Sequence, residues 1–534
     1  MANHKKAGSS RLPARRVRGR WRSVESQFGN GYCQSGMEAG TIVAMVIPEV
    51  RLDATGARPL YRQLEEALAA AIASGALGVG DRLPSERALA DRLGVSRTTA
   101  VNAYRELEAR GLVRGRVGQG TFVCAAGGAH DDAPFAWQGK VTAGAQRTLD
   151  PTLRTMVRDQ TSETISFAGG MPALDRFPID RFRAALDRVL SHQPDAALGL
   201  GPTDGQPRLR AALAVRHGAR PEQVLVLAGS QQGLDLIARC LLEPGDAIVM
   251  DRPGYLGAIQ TFRAAGARVI GWDARRADPE ELEELLQRYR PKLLYTNPTF
   301  HNPTGRTLPL DARRDILTLA ARYRLAVVED EPYRELAFHR PPPKTLRELD
   351  DQGLVIQLGT FSKTLAAGLR LGWLIAPEAI VDQLALVRQR CDLFGAGAFQ
   401  LVVAEMLTRG DFDAHLRTLR AEHQRRHDAM IAALRREIPA GALTWPPVEG
   451  GLYLWLHTHH DVDTSLLAQR ALDAGVAILS GEHFYPEAAG RHEARLCFAR
   501  SSPEQIAGGI ARLAQVLRVD DGVALRIGAS HPLL

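Results

Sequence analysis

Six short runs constrain the fold of this chain more than any other feature. They are QVLVLAGS, AIVMDRP, ARVIGW, KLLYTN, LAVVEDEP and LVIQLGTFS, and they fall between residues 223 and 362. Each is rich in branched aliphatic residues and closes on a turn signal. Helical patterns fill most of the intervals between them. Near-continuous apolar strands that alternate with helices have no face left for water. They therefore predict a mostly parallel sheet covered on both sides, a large α/β domain over residues 161–520. In such sheets ligands bind at the carboxyl ends of the strands. The polar residues just after each run are the ones to inspect.

A smaller unit precedes it, predicted over residues 57–124. Leu60, Leu64, Leu68 and Ile72 recur at four-residue spacing and make one helical stripe. In GDRLPSERALADRLG, Ser85 is a good N-cap and Gly94 a good stop. Ser96 starts the next helix, whose stripe is Val101, Tyr104 and Leu107, and Gly111 closes it. A four-residue turn joins these two helices. LVRGRVGQGTFV then reads as two strands around a Gly-rich tip at Gly118 and Gly120. Helix, tight turn, helix and hairpin make a winged helix-turn-helix. Its second helix would present Arg97, Thr98 and Thr99 at an N-terminus, where amides, hydroxyls and a guanidinium reach phosphates and base edges together.

The remaining zones are a polar, basic start (1–56), an Ala- and Gly-rich linker (125–160) and a short tail (521–534). The first 24 residues carry eight Lys and Arg and no acid; without them 59 bases face 60 acids. The start reads as a basic tail, with Met37 or Met45 as alternative initiators, or as a phosphate-binding arm. The most apolar window, TIVAMVIPEV, is short for a membrane span and is broken by Pro48. No secretory signal is legible. Five cysteines lie far apart, without metal-ligand spacing, and imply a reduced, cytosolic protein that uses no metal.

Lys363 follows the run LVIQLGTFS, so it stands at a strand's carboxyl end. A neutral lysine amine condenses with aldehydes, and pyridoxal 5′-phosphate (PLP) is the aldehyde commonly held in this way. That cofactor needs a phosphate cradle, a carboxylate for its pyridine nitrogen, donors for its phenolic oxygen and a flat partner for its ring. Ser230 and Gln231 open a helix after QVLVLAG and suit the phosphate. Ser362 and Arg370 add a hydroxyl and a charge. Asp330 closes LAVVED and suits the ring nitrogen. Asn302 in HNPTG and Tyr333 in DEPYREL are donors, and Tyr255 in DRPGYLGA suits stacking.

Two resemblances then appear. The ordered set LPSERALADRLGVSRTT, AYRELEARGLV and GQGTFV closely resembles the DNA-binding module of GntR-type bacterial regulators. The resemblance implies that Arg82, Arg87, Ser96, Arg97, Thr98, Thr99 and Gly120 face DNA. The order of the strand-end residues resembles fold-type I PLP enzymes of aminotransferase class I/II, which adds a smaller C-terminal α+β subdomain. By that resemblance Lys363 forms the Schiff base and Asp330 holds the pyridine nitrogen. Asn302 and Tyr333 hold the phenolic oxygen, and Tyr255 stacks on the ring. Ser230, Gln231, Ser362 and Arg370 bind the phosphate. In ARLCFA, Arg495 takes the carboxylate of an amino-acid-like ligand. One position departs: Leu200 stands where family members usually carry a tyrosine that reaches the neighbouring subunit's phosphate.

Module, linker and large domain together resemble MocR-type regulators. That layout implies a cytoplasmic, bacterial, homodimeric protein that binds double-stranded DNA and senses an amino-group effector, or PLP itself, through Lys363. The alternatives are an authentic aminotransferase with an accessory DNA module, and a GntR-like repressor whose large domain has lost PLP.

Overall fold

The computed structural model describes residues 52–53, 58–116, 120–124, 164–458 and 462–520. The basic start apart from Leu52 and Asp53, the wing-tip Gly118, the 125–160 linker and the 521–534 tail lie outside the described residues. The chain divides into two compact units, Met1–Phe135 and Ala136–Leu534.

In the first unit, helices span Leu60–Ala73, Glu86–Leu93 and Arg97–Ala109, and strands span Val113–Arg116 and Gly120–Val123. Leu64, Leu68 and Ile72 are buried against Leu89, Ala100, Tyr104 and Leu107. Ser85 Oγ accepts from Ala88 N at 3.2 Å and Ser96 Oγ from Thr99 N at 3.1 Å, so both caps form. Gly94 ends its helix at φ 66°, in the left-handed region that favours glycine. Gly94, Val95 and Ser96 join the two helices, one residue fewer than the spacing predicts. A further strand, Arg82–Leu83, pairs antiparallel with Gly120–Val123 and completes a three-stranded sheet. Two residues carry no readable period, which is why the sequence hides it. The Tyr104 hydroxyl donates to Pro84 O at 2.9 Å and ties the last helix to the start of the one before it.

The second unit is built on a seven-stranded sheet. Its spatial order is Val224–Leu227, Gly372–Ile375, Val355–Thr360, Ala326–Asp330, Leu293–Thr296, Ala247–Asp251 and Arg268–Trp272. Each of the six predicted runs supplies one strand. The seventh, Gly372–Ile375, runs antiparallel to both of its neighbours. Almost every residue of the central strands is buried, because helices cover both faces. A smaller subdomain follows the long helix Asp411–Glu437. It holds a four-stranded antiparallel sheet ordered Leu443–Thr444, Tyr453–Thr458, Glu493–Cys497, Leu479–Ser480, covered by helices Thr464–Asp473 and Pro503–Asp520. Its core joins Leu454, Leu456, Leu496, Phe498 and Ile510. No helix among the described residues is long and apolar enough to cross a membrane.

Candidate functional site

Strand ends of the large sheet and one strand of the small sheet converge on a cavity of about 480 Å³. Lys363, Asp330, Tyr333, Asn302, Tyr255, Ser230 and Arg495 all line it. Four of these follow directly from parallel-sheet geometry. Asp330 is the last residue of its strand, and Lys363 follows the Val355–Thr360 strand by three positions. Ser230 opens the helix after Val224–Leu227, and Tyr255 precedes the helix Leu256–Ala264. Arg495 comes from the small subdomain, so the site needs both sheets.

Lys363 is only partly covered because it faces the cavity, yet its amine lies deep and donates to Gly170 O at 2.7 Å. Burial lowers its pKa from 10.5 to about 8, and the Arg495 and Arg370 guanidiniums push the same way against Cys497 and Asp330. Asp330 accepts from the Tyr295 hydroxyl at 2.8 Å through Oδ2, while its buried Oδ1 has no hydrogen-bond partner. Burial raises this carboxyl to about 7, more than the Tyr295 bond and the Lys363 charge lower it. Such a group lacks a cationic donor. Asn302 Nδ2 donates to the Tyr333 hydroxyl at 3.3 Å, and that oxygen lies 3.3 Å from the Tyr453 hydroxyl. Arg495 Nη1 donates to Asn302 Oδ1 at 2.8 Å and Nη2 to Ala168 O, while buried Nε has no partner. Its guanidinium stacks 4.3 Å above the Tyr453 ring and 4.9 Å from that of Phe484.

Three of the residues named from sequence do not line the cavity. Gln231 turns away, accepting from the Tyr255 hydroxyl at 3.1 Å and donating to Thr261 Oγ1 at 2.6 Å. Ser362 Oγ sits 3.0 Å from Thr360 Oγ1. Arg370 is exposed, in the left-handed region at φ 50°, and donates to Ala228 O at 2.8 Å. It thereby lies against the loop that leads into the Ser230 helix, whose first amides have no partner within the helix. A side chain at Gly372 would bring its Cβ to 2.7 Å from Gly229 C and 2.8 Å from Ser230 N, so glycine there lets the strand touch that loop.

Sequence reasoning missed Gly170, Tyr295, Asn297 and Tyr453. Asn297 Nδ2 donates to Asp330 O at 2.6 Å, and its Oδ1 accepts from Asn302 N at 2.7 Å, so it fixes two site residues at once. The repeated Asn-Pro in TNPTFHNPTG was the available signal. Gly170 has a Cβ position 1.9 Å from the Tyr453 hydroxyl oxygen, a closeness that only the fold reveals.

The residues present fit PLP. A depressed buried amine suits an aldehyde, and the partnerless Asp330 Oδ1 suits a pyridinium N–H. The Asn302 and Tyr333 donors and the amides of the helix start at Ser230 suit the acceptor oxygens of a phenolic group and a phosphate. Among the described residues no group of His, Cys, Asp and Glu could hold a metal.

On the small unit, Arg97, Thr98 and Arg87 are exposed. Arg97 makes a long contact of 3.8 Å to Glu86 across water-exposed surface. The Ser96 hydroxyl is occupied in capping, and Thr99 Oγ1 lies 2.9 Å from it. Gly120, at φ 110°, packs against Arg82, whose Nε lies 2.7 Å from the position of an added Cβ.

Comparison with known proteins covers both units. Residues 163–513 match the family described as aminotransferase class I and II, and residues 60–123 match the bacterial regulatory proteins of the gntR family. The chain is similar to 2-aminoadipate transaminase of Thermus thermophilus, with 37% identity over 72% of this chain and 98% of the relative. It is also 32% identical to the probable rhizopine catabolism regulatory protein MocR of Rhizobium meliloti, over 86% of this chain and 94% of the relative. Among solved structures it is similar to the α-aminoadipate aminotransferase LysN of Thermus thermophilus, complexed with N-(5′-phosphopyridoxyl)-L-leucine. The TM-score is 0.70 at 36% identity, over 73% of this chain and 100% of that structure.

Proposed function

The chain belongs to the aminotransferase class I and II family and joins to it a gntR-family module, and on that premise we propose that it is a MocR-type, PLP-dependent transcription regulator whose Lys363 site reads an amino-acid-like effector. The observation that carries this reading is a buried, pKa-lowered lysine in the same cavity as a buried carboxylate with one partnerless oxygen and a buried arginine, in a chain that also carries a winged module.

PLP supplies an aldehyde carbon that reacts with amines and a cationic ring nitrogen that withdraws electrons. The chain's residues do the rest. Lys363 Nζ provides the anchoring amine, held by Gly170 O until it is used. Asp330 keeps the ring nitrogen protonated, with Tyr295 and Asn297 orienting it. Asn302 and Tyr333 donate to the phenolic oxygen, and Tyr255 covers a ring face. Ser230 and the amides beside it hold the phosphate, with Gln231 acting through Tyr255 and Arg370 supporting the loop before Ser230 through Ala228 O. Arg495 receives the effector's carboxylate in bidentate fashion.

In this reading the protein is a cytoplasmic homodimer. Leu200, 88% exposed, then stands at the position where the family resemblance implies a tyrosine that reaches the partner subunit's phosphate. The 125–160 segment links the sensing domain to the DNA module. An effector that favours one arrangement of the assembly shifts promoter affinity by no more than its differential affinity for the two arrangements.

The relatives that are transaminases favour a second reading, an amino-acid aminotransferase with an accessory DNA module. Assaying turnover of amino donors with 2-oxo acids, beside binding to the DNA upstream of the gene, separates the two. Sequence-specific binding with little turnover supports regulation. Robust turnover without specific binding overturns it.

Two expectations follow here. Cofactor uptake by the cofactor-free protein should accelerate as pH rises through about 8 and level off above it, because the reactive form of Lys363 is the neutral amine. At pH 7.5 an amine of pKa 8 is about one quarter neutral, whereas an unperturbed lysine is about one part in a thousand neutral. Stopped-flow absorbance across pH reads this, and a rate still climbing toward 10.5 would show an ordinary lysine. Arg97→Ala should cost roughly 1–3 kcal/mol at one base position and relax the preference there. An equal loss on every sequence would make Arg97 a phosphate contact.

A further inference from the structure

A second cavity of about 480 Å³ lies beside the same two strand ends. Asp330 lines the first cavity and its neighbour Glu331 lines the second. Likewise Lys363 lines the first, while Phe361 and Thr364 line the second. Pro332 lines both, so this carboxyl edge of the sheet serves two chambers.

The buried lining of the second chamber is short of positive charge. Glu331 and Glu329 share one fully buried guanidinium, Arg313, with contacts of 3.5 Å and 3.8 Å. Glu329 is well served, accepting from Leu346 N at 2.6 Å, Arg347 N at 3.1 Å and Gln357 Nε2 at 3.1 Å. Glu331 accepts from Thr299 Oγ1 at 2.7 Å through Oε1, but its buried Oε2 has no hydrogen-bond partner. The nearby Arg334 is engaged by Glu348 and Pro343 O. Burial pushes both carboxyls upward, as expected when two acids compete for one cation. Phe361 and Trp373 add aromatic walls, which also favour a cation, while Phe412 already carries the Arg216 guanidinium 5.0 Å from its ring centroid.

The exposed lining has the opposite sign. Arg216 and Arg420 are paired with Glu335, while Arg340 has no ion pair or hydrogen bond among the described residues. A ligand that satisfies both ends carries an ammonium for Glu331, a carboxylate for Arg340 and an aliphatic spacer. Glu331 is buried and Arg340 exposed, so the two groups lie at different depths of the chamber, and an α-amino acid with an apolar side chain, which bears both groups on one carbon, has no spacer to set between them.

We propose that this chamber is a second small-molecule site, for an ω-amino acid held by its ammonium on Glu331 and by its carboxylate on Arg340. The site goes beyond the cofactor reading and does not depend on it. The test uses full-length protein loaded with PLP and reduced with borohydride, which closes the Lys363 site to amines. Mass spectrometry of the reduced protein reports on the cofactor reading separately. Calorimetric titration with the straight-chain ω-amino acids from β-alanine to ε-aminocaproate should show saturable binding, one molecule per chain, for at least one length. Norleucine, the α-amino isomer of ε-aminocaproate, should not bind there. Glu331→Gln should weaken the interaction at least about thirtyfold. Arg340→Glu, at an exposed position that leaves folding untouched, should weaken it several-fold. Absence of saturable binding across the series, or binding indifferent to both substitutions, overturns the proposal.

Discussion

Lys363→Ala protein is expected to emerge colourless from incubation with PLP and dialysis, and to show no cofactor mass after borohydride, while the parent retains about one per chain. The expectation rests on the cavity's chemistry. Lys363 is the lysine that lines it, and its amine is the group whose proton affinity burial has lowered into the reactive range. The phosphate and ring contacts remain in the variant, so it should still bind the cofactor weakly and reversibly. What disappears is the covalent link and the visible band that belongs to it. Circular dichroism should match the parent, because removing an amine that bonds only Gly170 O leaves no unpaired buried charge behind. A borohydride-fixed cofactor in Lys363→Ala would mean that another amine does the work.

Asp330→Asn is expected to act with opposite signs on the two forms of the protein. In the cofactor-free state Asp330 is a buried carboxylate without a cationic donor, raised to about 7 by burial. Replacing it with a neutral amide removes an uncompensated charge and keeps an acceptor for the Tyr295 hydroxyl. The melting temperature of the cofactor-free variant should therefore equal or exceed that of the parent. In the loaded state the proposed arrangement sets the same carboxylate against a pyridinium. Removing it should cost about 2–5 kcal/mol of cofactor affinity, the range for breaking a buried charge pair. Melting curves with and without PLP read both signs. Equal stabilisation of parent and variant by the cofactor would remove Asp330 from the ring nitrogen. DNA binding by the variant should persist, since the two units are compact separately.

Much of this architecture was legible because it is periodic. Val224–Leu227, Leu293–Thr296 and Val355–Thr360 are buried on both faces, and their unbroken aliphatic runs say so directly, whereas the edge strand Arg268–Trp272 is buried only at its last residue. Gly372–Ile375 was not legible. Four residues behind a glycine-rich turn look like a loop until the neighbouring strands are in place on either side. Strand-end position explains why Asp330, Lys363, Ser230 and Tyr255 were found from sequence and why they meet in one cavity. The same argument does not say where a side chain turns. Gln231 turns toward Tyr255 and Thr261, and Ser362 toward Thr360, because buried hydrogen-bonding groups nearby claim them first. Gly170 lies 193 residues from Lys363 and Tyr453 lies 120 from Tyr333, and no local pattern announces a contact made only by tertiary folding. Arg495 was reached by resemblance alone, and its burial between Tyr453 and Phe484 is information only the folded chain holds.

In the proposed regulator one chain joins a DNA reader to an amine-sensing cofactor site, and one titration addresses that link directly. Fluorescence anisotropy of labelled DNA from upstream of the gene would be followed with PLP-loaded protein and a panel of amino acids, and again with Lys363→Ala. At least one amino acid should shift the half-saturation point for the parent, and none should shift it for Lys363→Ala. Identical binding curves for the parent across the whole panel, or the same shift in parent and variant, would contradict the account.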